Sequence, residues 1–208
     1  MASDTTASVL LPAVWIGLSI AAPVGPIGLL VIQRTLAHGR AVGLATGLGA
    51  AVADACYGAL GAFGVTALIQ VLQSARVPLA LLGGAFLLWL AWQTWRAPPP
   101  HRQAQVAVTP ALLPSFAGTF LLTLSNPATV LSFVAIFGTL AGSGAASSPA
   151  LMVVGVLLGS ALWWLLLCAT VGALRTRFDA RAQRWVGRVS ALMLAAFALW
   201  QWAQLARA

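Results

Sequence analysis

The chain has no lysine and no glutamate, and its acids are Asp4, Asp54 and Asp179 alone. So few carboxylates exclude paired-acid catalysis, and no Cys/His spacing suits a metal and no glycine-rich loop suits a phosphate. Charged residues make up 7% of the 208, against about 25% in a soluble domain, and mean hydropathy is +0.95. A soluble globular enzyme is thereby excluded, and an integral membrane protein is implied. The two cysteines, Cys56 and Cys168, both fall in apolar stretches and read as small buried hydrophobes. His38 and His101 lie in polar loops.

What is there is apolar length. A membrane span needs about 20 apolar residues. Six segments qualify: Val9–Ala37, Ala41–Leu72, Val77–Trp95, Ala111–Leu140, Pro149–Leu174 and Trp185–Leu205. The first is too long for the apolar part of a signal peptide, and Met1 to Ser8 is without a basic residue, so it reads as a retained span. The second exceeds a minimal span and is expected to tilt.

Two segments are interrupted. Ala22-Pro23-Val24-Gly25-Pro26 breaks the first and Ser125-Asn126-Pro127 breaks the fourth. Proline removes a donor and clashes with the preceding turn, so each break should split its helix. Irregular backbone at membrane depth is tolerated where it is buried in protein or lines a cavity. Interrupted segments in corresponding positions of two halves point to a transporter's binding site.

The arginines set an orientation. Arg34, Arg40, Arg96, Arg102, Arg175, Arg177, Arg181, Arg184 and Arg188 fall on one side of a six-span layout, and Arg76 and Arg207 on the other. Arginine-rich short loops stay in the cytoplasm, which places both termini outside. The net charge of +8 therefore needs no nucleic-acid partner. Trp89, Trp92 and Trp95 near the inner end of the third span, and Trp200 and Trp202 near the outer end of the sixth, read as interfacial anchors.

The polar loop 96–110, with Pro98-Pro99-Pro100, divides the chain into halves of about 9–95 and 111–205. Three spans per half force opposite orientations. The expected fold is an all-α membrane protein of one polytopic domain, with six transmembrane helices as two inverted three-helix repeats and helices 1 and 4 broken at mid-membrane.

Asp54 is the one acid inside a predicted span, and such a residue usually marks a substrate, ion or proton path. Gly43, Gly47, Ala50, Asp54, Gly58 and Gly61 make one helix stripe of mostly small residues. At ~1.5 Å per residue, Asp54, Pro26 and Pro127 lie roughly 20, 17 and 24 Å from the cytoplasmic ends of their segments. All three fall near the middle of a ~30 Å core. Each broken helix resumes at a proline, with Gly25 and Asn126 before it. Both resumed half-helices would point positive N-termini at the midplane, beside Asp54. Donors for a carboxylate and an acid for an ammonium together complement an amino acid. Ser115, Thr119 and Thr123 form a polar stripe leading up to Asn126. Trp163, four residues after Gly159 and eight after Gly155, is expected on their face at mid-depth, with Trp164 pointing elsewhere. Core packing is the plainer role for Trp163; stacking on a substrate cation is the other.

These residues resemble the lysine exporter (LysE/RhtB) family of bacterial amino-acid exporters. The match runs through Pro23-Val24-Gly25-Pro26, Gln33-Arg34, Gly39-Arg40, Gly43-Leu44, Gly49, Asp54 with Tyr57, and Asn126-Pro127 with Phe133. The resemblance implies six spans in the inner membrane and proton-driven export of amino acids or their analogues. Asp54 would be the transport aspartate, and no cofactor is expected. The partners it implies are substrate, protons and membrane lipid, and a homodimer is compatible with it. No second acid stands beside Asn126-Pro127, which favours neutral over basic amino acids. A membrane thiol–disulfide conduit using Cys56 and Cys168, or a heavy-metal exporter, are the competing classes. Neither break carries a cysteine, and soft ligands are not clustered.

Overall fold

A computed structural model describes residues 2–23, 25–63, 76–96, 112–126, 129–130, 132–133, 148–174 and 180–205. Among them are seven helices and no strand: α1 (Ala2–Ala21), α2 (Pro26–His38), α3 (Arg40–Ala62), α4 (Arg76–Arg96), α5 (Leu112–Leu124), α6 (Pro149–Leu174) and α7 (Ala180–Leu205). α3, α6 and residues 184–203 of α7 are long and apolar enough to cross a membrane. α1 and α2 pass the same test together but turn by 79° at the break between them. That makes up to four crossings, and α4 and α5 occupy the third and fourth predicted segments.

The first break follows from its prolines. α1 ends at Ala21, and α2 starts with Pro26 in its first turn after Gly25 in extended conformation. The Gly25 N–H turns back to the Pro23 carbonyl at 2.8 Å, and Leu29 N–H bonds the Gly25 carbonyl. The second break uses the same chemistry. α5 stops at Leu124, and the Asn126 carbonyl accepts from the N–H groups of Thr129 and Val130, opening a new helical turn. Pro127 itself lies outside the described residues.

α2 and α3 are joined by Gly39 alone, whose φ is +94° and whose N–H bonds Thr35 O at 3.0 Å. With ψ at 172° this is an extended, positive-φ conformation open essentially to glycine alone, and a Cβ there costs about 1–3 kcal/mol. Gly39→Ala is expected to cost that much, read as an earlier unfolding midpoint in a mixed-micelle SDS titration, with Gly187→Ala unchanged or slightly later. Gly187 has open space around it and lies inside α7.

The helices pair as α1 with α6, α3 with both α5 and α6, and α4 with α7, while α2 lies against α3, α6 and α7. Glycine sets the closest approaches, as expected where apolar surface gives no drive for helices to associate in lipid. Gly155 and Gly159 of α6 face the backbone of α1 at Leu10, Ala13, Val14 and Leu18, and Gly17 of α1 faces Val156. Gly49 of α3 faces Phe116 and Phe120 of α5 in the same manner. The expected small-residue stripe of α3 turns to α2 and α6: Gly43 meets Thr35, Gly47 meets Trp164, and Gly58 meets Val156. α4 and α7 run antiparallel, with Gly84 against the Trp202 indole and both Gln201 and Trp202 donating to the Ala80 carbonyl.

Candidate functional site

The two breaks and the middle of α3 enclose one cavity of about 90 Å³, enough for several waters or a small zwitterion. The tip of α1, the first turn of α2, Ala50 and Asp54 of α3, Thr123, Asn126, Thr129 and Trp164 line it. Of the residues singled out from sequence, Pro23, Gly25, Pro26, Asp54, Thr123 and Asn126 therefore stand around one space. Tyr57 is one turn beyond Asp54 on α3, and its hydroxyl donates to the Leu124 carbonyl at 2.6 Å. Tyr57 thus ties α3 to the second break, and Phe133 stacks on its ring at 5.5 Å.

Asp54 is 3% exposed. Its Oδ2 accepts a hydrogen bond from Ser160 Oγ at 2.8 Å, and Ser160 Oγ accepts from Trp164 Nε1 at 3.2 Å. Among the described residues no arginine or histidine pairs with it. A buried carboxylate without a counter-charge is costly, so the site calls for a proton or a cationic ligand. Ile27 and Gly28 also line the cavity, and their N–H groups open α2 and have no acceptor within their own helix. They carry the positive end of the helix dipole and suit an anionic group.

Trp164 points away from the Gly155 and Gly159 face, and that direction is the cavity. It lines the cavity, carries the hydrogen-bond chain to Asp54 and belongs to the buried cluster with Ala21, Val31, Ala50 and Cys168, while the partly buried Trp163 packs on that cluster. One α-helical residue is a 100° turn. Gly155 and Gly159 take the α1 side, and the next residues along, Val156 and Ser160 with Trp164, take the α3 side. Ser160 and Thr129 carried no expectation from sequence, and Trp164 was expected only to point away from the Gly155 and Gly159 face.

Ser115, Thr119 and Thr123 are all buried, and the hydroxyls of Thr119 and Thr123 donate to carbonyls four residues back. Only Thr123 of the three reaches the cavity. Arg34, counted from sequence among the cytoplasmic-side arginines, sits within α2 and donates from Nη1 to the Ser115 hydroxyl, bridging α2 to α5. Arg40 opens α3, lies against Gly172 and reaches the Ala169 carbonyl. Cys56 and Cys168 are both free thiols, and Cys168 accepts from Thr35 Oγ1 at 3.6 Å. Among the described residues no cluster of three or more His, Cys, Asp or Glu side chains could hold a metal.

Comparison with known proteins settles the family. The model of the LysE type translocator matches residues 18–201. The chain belongs to the LysE family. It is 34% identical over 175 residues to "Uncharacterized membrane protein YahN" of Escherichia coli K12, covering 82% of this chain and 78% of that one. It is 26% identical over 189 residues to "Putative amino acid efflux protein YcgF" of Bacillus subtilis 168, covering 88% and 89%. It is 31% identical over 120 residues to "Uncharacterized membrane protein PA4757" of Pseudomonas aeruginosa, covering 54% and 55%. No solved structure matches it. The LysE chain is thus a multi-pass bacterial membrane protein and a transporter rather than an enzyme.

Proposed function

We propose that this LysE-family chain exports amino acids across the bacterial inner membrane in exchange for protons. The observation that carries the reading is Asp54: a buried carboxylate with no cationic partner among the described residues, lining a cavity that the positive start of α2 also lines. A zwitterion satisfies both at once, its ammonium at Asp54 and its carboxylate at the Ile27 and Gly28 N–H groups. Asp54 then alternates between a proton and the substrate ammonium. With one acid in the cavity, a side chain carrying a second positive charge has no partner among its described lining residues, which favours neutral amino acids. The efflux name of the Bacillus subtilis relative agrees with this reading.

The architecture proposed for it is six spans in two inverted repeats, with both termini outside and the arginine-rich end in the cytoplasm. Helix pairing supports the repeat. Exchanging α1 for α5, α3 for α6 and α4 for α7 turns the α1–α6 pair into the α5–α3 pair, and maps the α3–α6 and α4–α7 pairs onto themselves. The glycines repeat the pattern in atomic detail. Gly159 meets the Val14 carbonyl and the Leu18 N–H, four residues apart on α1, and Gly49 meets the Phe116 carbonyl and the Phe120 N–H on α5. The same register carries Ala50 onto Ser160 and Asp54 onto Trp164, so Asp54 and Trp164, both in the cavity lining, stand at equivalent positions. Rocking of one half against the other about this site gives alternating access.

The test is efflux of a labelled amino-acid panel from loaded vesicles, with and without an imposed proton gradient. Gradient-dependent loss of one or a few neutral amino acids is expected. If none leaves faster than from protein-free vesicles, the amino-acid reading fails.

A further inference from the structure

Four arginines gather where α4 ends and α7 begins. Arg96 closes α4, and Arg181, Arg184 and Arg188 fall within the first nine residues of α7. Neither helix contains an aspartate or glutamate. Two of these guanidinium groups lie over neighbouring tryptophan rings. The Arg96 guanidinium carbon lies 3.9 Å from the Trp92 ring centroid, and that of Arg188, from the other helix, lies 5.7 Å from the Trp95 centroid. Trp92 and Trp95 are one turn apart on α4 and remain 57% and 52% exposed.

A guanidinium stacked on an indole satisfies its π face but not its five in-plane donors. Among the described residues no hydroxyl, carbonyl or carboxylate accepts from Arg96 or Arg188. Paired arginine forks match a phosphate, and tryptophan rings sit at the headgroup level of a bilayer. Away from this end, Trp89, Leu192, Met193 and Leu199 leave an exposed apolar surface on α4 and α7. An arginine bias alone would place charges at this end, but it would not bring arginines of two helices onto adjacent rings.

We propose that Arg96 and Arg188, held on Trp92 and Trp95, form an interfacial site for the phosphate headgroup of an anionic phospholipid. Its acyl chains lie along the apolar face of α4 and α7, and basic pockets of this kind favour anionic over zwitterionic lipid by charge. The site is separate from the Asp54 cavity, so it stands whether or not amino acids are the substrate.

Native mass spectrometry of the detergent-solubilised full chain tests it, with phosphatidylglycerol, phosphatidylcholine or inorganic phosphate added in turn. Phosphatidylglycerol should be retained roughly tenfold better than phosphatidylcholine, and the preference should vanish in R96Q/R188Q. R96K/R188K should keep part of the preference, because charge survives while the planar fork is lost. Folding of each variant is checked by its size-exclusion profile and circular dichroism. Equal retention of the two lipids by the wild type would overturn the proposal, as would an undiminished preference in R96Q/R188Q. Inorganic phosphate competing fully with phosphatidylglycerol would make this a free-anion site and overturn the lipid assignment. Dissociation of a dimer in R96Q/R188Q with lipid retention unchanged would assign the surface to a second copy instead.

Discussion

Asp54→Asn is expected to bring gradient-driven efflux to the level of empty vesicles while the protein remains folded. Asparagine has the same shape and its Oδ1 still accepts from Ser160, whose hydroxyl lies 2.8 Å from the aspartate oxygen. What it lacks is the charge that pairs with a substrate ammonium and the ability to take up a transported proton. Leaving one partner of a buried ion pair uncompensated costs about 3–5 kcal/mol. At 1.4 kcal/mol per tenfold, that is roughly a hundredfold to a few thousandfold in affinity, before any loss of coupling. Ser160→Ala should do less, because it removes a hydrogen bond to the carboxylate and leaves the charge. Such bonds contribute about 1.5–3 kcal/mol, or roughly 10–100-fold. The measurement is initial efflux rate from vesicles matched for protein content, with thermal unfolding recorded for each variant. Normal efflux from a folded Asp54→Asn would remove the aspartate from the mechanism, and an effect of Ser160→Ala larger than that of Asp54→Asn would reverse their roles.

The parts of this architecture that were legible in sequence are those fixed by local covalent chemistry or by a residue out of place. Proline marks both breaks because it withholds an N–H and crowds the preceding turn, and α1 and α2 separate at Pro23–Pro26, where two prolines flank Gly25, whereas the single Pro12 is carried inside α1. α6 spans Pro149–Leu174, the same bounds as its apolar run. Asp54 is conspicuous in an apolar stripe and stands in the cavity. What was not legible depends on the phase of a helix that is apolar all round. α6 has leucine or valine on every face, so nothing in its sequence tells Trp163 from Trp164, and glycine spacing pointed to the α1 side alone. Ser160 carries no signal of its own, since a membrane serine most often bonds its own backbone. Arg34 was legible only as one of the arginines of the cytoplasmic end. Its bridge to Ser115 joins helices 81 residues apart and belongs to tertiary structure.

Replacing Gly159 or Gly49 by leucine is expected to prevent assembly of the helices, and to do so to a similar degree at both positions. Each glycine presses against the backbone of a neighbouring helix, where a carbonyl oxygen and an amide nitrogen four residues on occupy the place of a Cβ. Flexible side chains can rotate away from an added methyl, but a helical backbone cannot. The whole of α1 would have to move off α6, or α5 off α3, and with it the packing that closes the cavity. Overpacking of a well-packed interior costs typically about 1–3 kcal/mol even when side chains adjust, and backbone against backbone exceeds that range. A chain of this size has about 5–15 kcal/mol in hand, so one such clash removes much of it. Gly159→Leu and Gly49→Leu should therefore yield aggregated or rapidly degraded protein, seen as loss of the monodisperse peak in fluorescence-detected size exclusion. Gly58→Ala, whose Cβ would meet only the Val156 side chain at ordinary contact distance, should keep that peak. The paired outcome reaches further than either alone. Equal losses at Gly159 and Gly49 are what equivalent contacts in two inverted halves require, and a monodisperse, fully active Gly49→Leu beside a collapsed Gly159→Leu would break the repeat.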